Sequence, residues 1–340
     1  MAAVMQAATI RRPHPWSAMP DFCSADFPED AFPPASAART SYRRHCDRGR
    51  AAMCQMRVVI TGLARNLGQI LPATIGRIER LGSLFADHRV IIYENDSTDS
   101  TKLLLRHWAG VNRRVTVEME DCHDPENPPT RCLARAERMA RYRQRCQELV
   151  LERFGDFDAV IIADLDVSGG WSLDGVANSF GHSDWDFIGS NGLIYRREGF
   201  RINASRQYDM WALRFDDRLS PIPTARARDY VYSRGEPLVP VTSCFGGMGI
   251  YRMEAYRQGR YGAADTEHAI FHREMIRQGH GRLFLNPSQI LVYGRRRRFA
   301  DGLVERTLQA WNALRGRPAE PWLFGREPAV PGPTRRAAAA

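Results

Sequence analysis

The sequence predicts an α/β protein with a doubly wound, mostly parallel mixed sheet and flanking helices. Short apolar runs at 58–60, 90–92 and 159–163 have the length of buried strands. Segments with apolar residues at steps of three and four lie between them, as expected for amphipathic helices. Strands that alternate with helices favour a parallel sheet, whose ligands bind beyond the carboxyl ends of the strands.

Each element has its own local signal. Pro72 suits the first turn of a helix, where its missing N–H is not needed, and Asp96 or Ser97 can cap the next helix. The predicted elements in chain order are a strand and loop at 56–66, a helix carrying Leu71, Ile75, Ile78, Leu81 and Phe85 on one face, a strand at 88–96, a helix from Asp96 onward, a strand at 114–120, a Pro-rich loop at 121–130, a helix at about 132–153 and a strand at 158–163.

The chain is predicted to carry one domain, at 56–325, between two tails. Residues 1–55 are rich in Ala, Pro and Arg without a sustained period, and 326–340 have a similar composition, so both are expected to be flexible. No run of apolar residues is long enough for a transmembrane helix, and the start lacks a secretory pattern. The seven cysteines form no CxxC pair, which favours reduced thiols and a cytoplasmic location.

The net charge of +9 comes almost entirely from arginine, including the run at 295–298. Arginine suits phosphate groups of nucleotides, of anionic lipids and of nucleic acids. No basic–aromatic repeat or nucleic-acid reader motif is present, so no nucleic-acid partner is expected. The basic residues either contact the inner face of a membrane peripherally or are simply exposed to solvent.

Asp164 and Asp166 follow the apolar run at 159–163 directly, and Gly169 and Gly170 come next. Two carboxylates at one point repel each other unless a cation lies between them. Hard divalent cations such as Mn²⁺ or Mg²⁺ prefer oxygen ligands of this kind, with phosphate oxygens completing the shell. The alternative is that one aspartate caps a turn and the other is solvated.

Seven short motifs occur in an order that resembles nucleotide-sugar-dependent glycosyltransferases of the GT-A fold, in particular the fungal capsule-type α-1,3-mannosyltransferase family and its bacterial relatives. The resemblance spans about 56–293. The motifs are VVITGLARN, YENDSTDST, RMARYRQR, VIIADLDVSGG, QYDMWALR, SCFGGMGIYR and TEHAIFHREM.

The resemblance implies that Asp164 faces the ribose and sugar of the donor. It also implies that Asp166 binds a divalent cation, with Asp164 as a second ligand. His280 is a further candidate ligand of that cation. The remaining residues that the resemblance places around the nucleotide sugar are Thr61, Gly62, Ala64, Arg65, Glu94, Asp96, Arg138, Gly246 and Gly247. For the two glycines, turn geometry is an equal alternative.

A stripe of arginines on the helix at 132–153 is a second candidate for phosphate binding. Steps of four, three and seven place its members on one face, where they hold a diphosphate or an acceptor phosphate, or are simply solvated. The members are Arg131, Arg135, Arg138 and Arg145.

Acceptor-side chemistry is expected from three acids. Asp209 lies beside Tyr208 and Trp211, whose rings either face a sugar or fill the core. Asp265 and Glu267 are candidates to orient the acceptor hydroxyl or to accept its proton. A zinc site at His268 and His272 is not expected, because the position after His268 is alanine and HExxH needs glutamate there.

The resemblance therefore implies a metal-dependent glycosyltransferase that moves a hexose, expected to be mannose-like, from a nucleoside diphosphate sugar to a glycan or lipid-linked acceptor, with retention of the anomeric configuration. If the enzyme inverts instead, Glu267 or Asp265 is the expected base. A nucleotidyltransferase or phosphohydrolase using the same aspartates is the alternative, and a basic nucleic-acid-binding protein is a weaker one.

Overall fold

The structure, a computed structural model, describes residues 27–127, 132–198, 201–216 and 221–294. The described residues up to Tyr293 belong to one compact unit. Their helices are α1 (Arg39–Met53), α2 (Leu71–Gly82), α3 (Thr101–Val111), α4 (Leu133–Phe154), α5 (Leu173–Phe180), α6 (Met253–Tyr256) and α7 (Glu267–Arg277). Their strands are β1 (Arg57–Ala64), β2 (Asp87–Asn95), β3 (Val115–Glu120), β4 (Ala159–Ala163), β5 (Phe187–Glu198), β6 (Arg201–Gln207), β7 (Val239–Pro240), β8 (Met248–Arg252) and β9 (Leu283–Tyr293).

The strands form one mixed sheet in the order β3-β2-β1-β4-β8-β5-β9-β7, with β6 paired to β5. β1 to β4 are mutually parallel, and β8 is antiparallel to both β4 and β5. Because β9 is parallel to β5, β1 to β5 and β9 all point the same way. The expected fold class, α/β with a mostly parallel mixed sheet and flanking helices, is confirmed.

The sheet buries both of its faces. Successive strand residues point to opposite sides, so Val58 and Ile60 pack in one apolar cluster and Val59 packs in the other. The first cluster includes residues of α2, α3 and α5, and the second includes residues of α4, α6 and α7. This arrangement is the doubly wound one that the sequence predicts, and it leaves the carboxyl ends of the parallel strands free to build a site.

The N-terminal region differs from the expectation. Residues 39–53 form α1, which buries Tyr42, Cys46, Gly49 and Met53 and packs on α5. The prediction of a flexible tail is therefore wrong for this stretch. The mean hydropathy of α1 is low because arginines cover its outer face. The four buried positions recur at steps of three and four, but most of them hold small or polar residues, so the sequence shows no clear apolar stripe.

The cap of α3 also differs from the prediction. Asp99 accepts the backbone N–H of Thr101 at 2.9 Å, where the helix begins. Asp96 instead adopts a left-handed φ of 55° and accepts the backbone N–H groups of His123 and Asp124 at 2.8 and 3.1 Å. The Asp96 carboxylate therefore anchors the loop after β3, and it is Asp99 that accepts a hydrogen bond at the start of α3.

Several expectations concern residues outside the described ranges: the tail at 326–340, the arginine run at 295–298, Arg131, and the end of the domain beyond Gly294. Within the described part of the chain, six cysteines are present and all are free thiols. No described helix is both long enough and apolar enough to cross a bilayer.

Candidate active site

Two aspartates follow β4 at the edge of the sheet where β1 and β2 also end. The backbone N–H of Asp164 donates to the carbonyl of Gly247 at 2.8 Å, which ties the end of β4 to the start of β8. The Asp164 side chain is partly buried, whereas Asp166 is exposed. Tyr293, the last residue of β9, donates its hydroxyl to Asp166 Oδ2 at 3.3 Å. The two carboxylates thus lie at the predicted edge of the sheet.

Arg143 connects Asp164 to α7. Its terminal nitrogen donates to Asp164 Oδ1 at 3.2 Å, and its Nε donates to Glu267 Oε1 at 3.1 Å. The guanidinium is 5% exposed and lies over the ring of Phe245, 5.1 Å from the centroid. Burial alone would lower the pKa of Arg143, but Glu267 and Asp164 raise it above its usual value. One buried cation therefore holds two acids of the site in place.

The acids of the site crowd one another. Burial raises the pKa of Asp164 to about 7; Arg143 opposes this shift, and the charges of Asp166, Asp209 and Glu267 add to it. Burial and the charge of Glu267 raise the pKa of Asp209 as well. Desolvation by the surrounding protein also raises the pKa of Asp166, although its side chain is open to solvent.

Aromatic side chains lie beside these acids. Tyr208 stacks on Tyr293 with ring centroids 4.1 Å apart and planes 12° apart. Asp209 accepts the backbone N–H of Ala212 at 3.3 Å, which fixes the turn that presents Trp211. Tyr208 and Trp211 are only partly buried, so neither ring is a core residue.

The residues present fit a divalent cation. Carboxylate oxygens are the ligands that Mn²⁺ and Mg²⁺ prefer. Burial is the largest cause of the raised pKa values of Asp164, Asp166 and Asp209, so their ionised forms are poorly solvated and a bound cation would stabilise them. Asp164 and Asp166 are the two that lie together at the end of β4.

A tighter group of ligand atoms lies at the ends of β2 and β3. In the described ranges, Asp96, Cys122 and Asp124 are the one set of three whose ligand atoms lie within 4.8 Å of one another. Asp124 accepts the hydroxyl of Tyr142 at 2.6 Å and pairs with Arg141. Burial raises the pKa of the Cys122 thiol, which disfavours the thiolate that a metal needs. Protein donors thus account for this group without a metal.

The cluster predicted after β1 lies mostly within the strand. Thr61 and Ala64 are each 1% exposed, and a side chain at Gly62 would meet the carbonyl oxygen of Ala163 at 2.6 Å. These residues pack within the sheet, and their side chains are not accessible to a ligand. Arg65 is the first residue beyond the strand, and it donates to the carbonyls of the loop at 124–125 at 2.6 and 3.1 Å.

Glu94 and Arg138 are also engaged by protein. Glu94 is fully buried, and its Oε1 accepts the backbone N–H of Ser97 at 2.8 Å. Arg138 Nε donates to Asn127 Oδ1 at 2.8 Å. Arg145 pairs with Glu118 at 2.7 Å beside β3, so the predicted arginine stripe does not converge on one anion.

Gly246 and Gly247 have positive φ values of 63° and 86°. A side chain at Gly246 would lie 2.1 Å from the carbonyl oxygen of Ser190, and one at Gly247 would meet Leu291 at 2.8 Å. Turn geometry and packing against β5 and β9 therefore explain both glycines. They support the site indirectly, because the Gly247 carbonyl holds Asp164.

Asp265 does not have the environment of a base. Both of its oxygens accept from one terminal nitrogen of Arg214, at 3.0 and 2.8 Å. The Asp265 side chain is 0% exposed and that of Arg214 is 4% exposed. Asp265 also accepts the backbone N–H of Thr266, the N-cap residue of α7, at 2.7 Å. The expectation of an acceptor-side base at Asp265 is wrong; it anchors α7, which carries Glu267.

The prediction of His280 as a metal ligand is also wrong. Its Nδ1 lies 3.3 Å from Asp186 Oδ1. The carbonyl of Asp186 accepts the N–H of Arg252, and Arg252 pairs with Ala159, the first residue of β4. The full length of β4 therefore separates His280 from Asp164.

Sequence reasoning missed Arg143 and Tyr293. Arg143 lies within the motif RMARYRQR, and a signal for it was present, because it falls in helical register with the buried Ala140, Gln147 and Val150. A charged residue at such a position requires a buried partner. Tyr293 ends a strand that points to the same edge as β4, which only the sheet order reveals.

No protein-family model and no curated protein matches the chain. Among solved structures, a mannosyltransferase from Pyrobaculum calidifontis in complex with GDP-Man and Mn²⁺ is 13% identical, with a TM-score of 0.45, and the match covers 84% of this chain and 74% of that one. Glucosyl-3-phosphoglycerate synthase from Mycobacterium tuberculosis, in complex with Mn²⁺, UDP and phosphoglyceric acid, is 16% identical, with a TM-score of 0.41 and coverages of 80% and 81%.

Residues 1–349 of TarS from S. aureus are 10% identical, with a TM-score of 0.38 and coverages of 70% and 60%. Similarities of this size assign no family to the chain.

Proposed function

We propose that the protein is a metal-dependent GT-A glycosyltransferase. It moves a hexose that resembles mannose from a nucleoside diphosphate sugar to a hydroxyl of a glycan or lipid-linked sugar. One observation carries the proposal: Arg143 gathers acids from α7 and from the end of β4 at the carboxyl edge of the sheet. Ligands of doubly wound sheets bind at that edge. The seven ordered motifs at about 56–293, which resemble those of GT-A glycosyltransferases, support the same reaction.

Asp164 and Asp166 would hold Mn²⁺ or Mg²⁺. When bound, the cation would act as a Lewis acid that neutralises part of the negative charge of the diphosphate. Arg143 keeps Asp164 in one orientation, and the hydroxyl of Tyr293 does the same for Asp166. This preorganisation means that the acids do not have to reorient when the donor binds.

Asp209 is the proposed acceptor-side acid. Glu267 and Asp265 are each paired with a buried arginine, whereas Asp209 accepts only a backbone N–H among the described residues. We assign to this partly exposed residue the role of orienting an acceptor hydroxyl. Retention is the stereochemistry we propose, because a retaining transfer needs no strong base and the two other candidate bases are occupied.

The decisive experiment incubates the purified protein with a panel of nucleotide sugars and simple sugar acceptors, with Mn²⁺, with Mg²⁺ or with EDTA. We expect release of a nucleoside diphosphate, together with a glycoside that mass spectrometry identifies. Asp166→Asn should lower kcat/KM by about 100-fold or more, the scale for losing a preorganised charge. Asp156→Asn is the control, because Asp156 is 71% exposed and lies at the opposite end of β4.

Release of pyrophosphate or phosphate without a glycoside would identify the alternative, a nucleotidyltransferase or phosphohydrolase. Full activity of Asp166→Asn, or identical rates with Mn²⁺ and EDTA, would contradict the proposed mechanism. A cytoplasmic location, with peripheral contact at the inner face of the membrane, is a further proposal that fractionation of cells under low and high salt tests.

A further inference from the structure

We propose that Arg135, whose guanidinium lies over the ring of Trp211, is an oxyanion-binding residue beside Asp209 and takes a phosphate group of the bound substrate. The inference deepens the proposed function and rests on it. It selects one member of the predicted arginine stripe and assigns it a partner of stated chemistry.

Arg135 lies in the first turn of α4, two turns before the buried Arg143. Its guanidinium carbon lies 5.0 Å from the ring centroid of Trp211. Stacking on indole covers one face of a guanidinium and leaves the N–H groups at its edge available in the plane. A guanidinium held in this way is preorganised to grip two oxygens of one anion.

Among the described residues, Arg135 has no polar partner, unlike the other arginines of α4 near the site. Arg143 pairs with Asp164 and Glu267, and Arg138 donates to Asn127. For Arg135, no hydrogen bond or ion pair is formed with any residue that the structure describes. Within that part of the chain, nothing competes with an external acceptor for its N–H groups.

Arg135 lies beside an acid of the site. Trp211, over which its guanidinium lies, belongs to the turn that Asp209 fixes by accepting the backbone N–H of Ala212 at 3.3 Å. An anion held by Arg135 therefore lies near the proposed acceptor-side acid. Carboxylates repel an anion, so a substrate phosphate bound here needs a positive group beside it. Arg135 supplies that charge.

A phosphate oxyanion has two sources in a sugar-transfer reaction, the diphosphate of the donor and an anionic group on the acceptor. Inorganic pyrophosphate with Mn²⁺ is the probe for the first source. Inorganic phosphate, titrated into protein saturated with Mn²⁺ and pyrophosphate, is the probe for the second. Neither probe depends on the identity of the nucleotide base or of the sugar.

The experiment measures binding of both probes by calorimetry. Arg135→Gln should weaken one of them about tenfold, which corresponds to about 1.4 kcal/mol. Arg135→Lys keeps the charge but loses the planar fork, so it should fall between wild type and Arg135→Gln. Trp211→Leu removes the stacking surface and should weaken the same probe. Arg153→Gln is the matched control, because it changes an exposed arginine in the last turn of the same helix.

Weaker pyrophosphate binding by Arg135→Gln assigns the residue to the donor diphosphate. Unchanged pyrophosphate binding with weaker binding of the second phosphate assigns it to the acceptor. Equal affinities of Arg135→Gln, Arg153→Gln and wild type for both probes would overturn the proposal, as would a wild-type protein that binds neither probe. A protein that binds the probes through Arg135 but transfers no sugar would count against the proposed function alone.

Discussion

Arg143 Nε donates to Glu267 Oε1 at 3.1 Å, and the same guanidinium reaches Asp164 at 3.2 Å. The contact joins α4 to α7 across the end of the central strand. A buried ion pair adds little net stability, but removing one partner leaves uncompensated buried charge. The geometry of the site and the stability of the fold therefore depend on the same three side chains.

Arg143→Met should lower the free energy of unfolding by about 3–5 kcal/mol, since it leaves Asp164 and Glu267 buried without their cation. The loss should be larger at alkaline than at mildly acidic pH, because protonation neutralises Asp164, whose pKa burial raises to about 7 in the folded state. Urea denaturation at both pH values measures it. Arg145→Met is the control and should cost about 1 kcal/mol or less, since Arg145 is 37% exposed. Equal stabilities of the two variants would refute the role of Arg143.

Stability should depend on pH through Asp164. Burial raises its folded-state pKa from 3.8 to about 7, so the metal-free folded protein keeps a proton that the unfolded chain has lost. The metal-free protein therefore loses stability as the pH rises between about 4 and 7. A bound cation replaces that proton, so the increase in Tm caused by excess Mn²⁺ should grow over the same window.

Thermal unfolding with EDTA and with Mn²⁺, at about pH 5 and about pH 8, tests this linkage. Asp164→Asn should flatten both pH dependences, because it removes the titrating group. A Mn²⁺ effect that is independent of pH in the wild type would show that Asp164 does not exchange a proton for the metal.

Replacing Asp209 or Asp265 by asparagine should have different effects on the free energy of unfolding. Asp265→Asn removes the charge that balances Arg214 and should cost about 3–5 kcal/mol of unfolding free energy. Asp209→Asn should leave stability unchanged or slightly higher at neutral pH, because the pKa of Asp209 is raised in the folded state, and it should lower kcat. Urea denaturation and initial rates separate the two effects. A stable, inactive Asp265→Asn protein would restore Asp265 as a catalytic candidate.

Docking of α1 should depend on Gly49. A side chain there would lie 1.6 Å from the carbonyl oxygen of Ala177 in α5. Gly49→Ala should therefore push the helices apart and destabilise the fold by about 1–3 kcal/mol, the usual cost of overpacking. Gly76→Ala is the matched control in α2, where nothing lies within 4 Å, and it should stabilise the protein by about 1 kcal/mol. Similar effects of the two substitutions would show that α1 is not packed tightly on α5.

The alternation of apolar runs and helical periods was sufficient to predict the sheet, its parallel core and the edge at which Asp164 and Asp166 lie. These features follow from local periodicity and from a general rule about strand direction, so no distant contact was needed. The same reasoning missed α1, whose buried stripe includes Gly49 and Cys46 and is not recognisable as apolar.

The roles of individual side chains were decided only by the tertiary structure. Asp265 and Glu267 are two residues apart, yet different arginines hold them. His280 lies at the opposite end of β4 from Asp164. The helical register of α4 marks Arg143 as a buried position, but only the structure shows that Asp164 and Glu267 are its partners. The chemistry of a carboxylate depends on which groups surround it, and those groups come from other segments: Arg143 is 21 residues from Asp164 and 124 from Glu267 along the chain. Local sequence therefore determines where an acid can lie, whereas long-range packing determines whether it is a ligand, an anchor or a base.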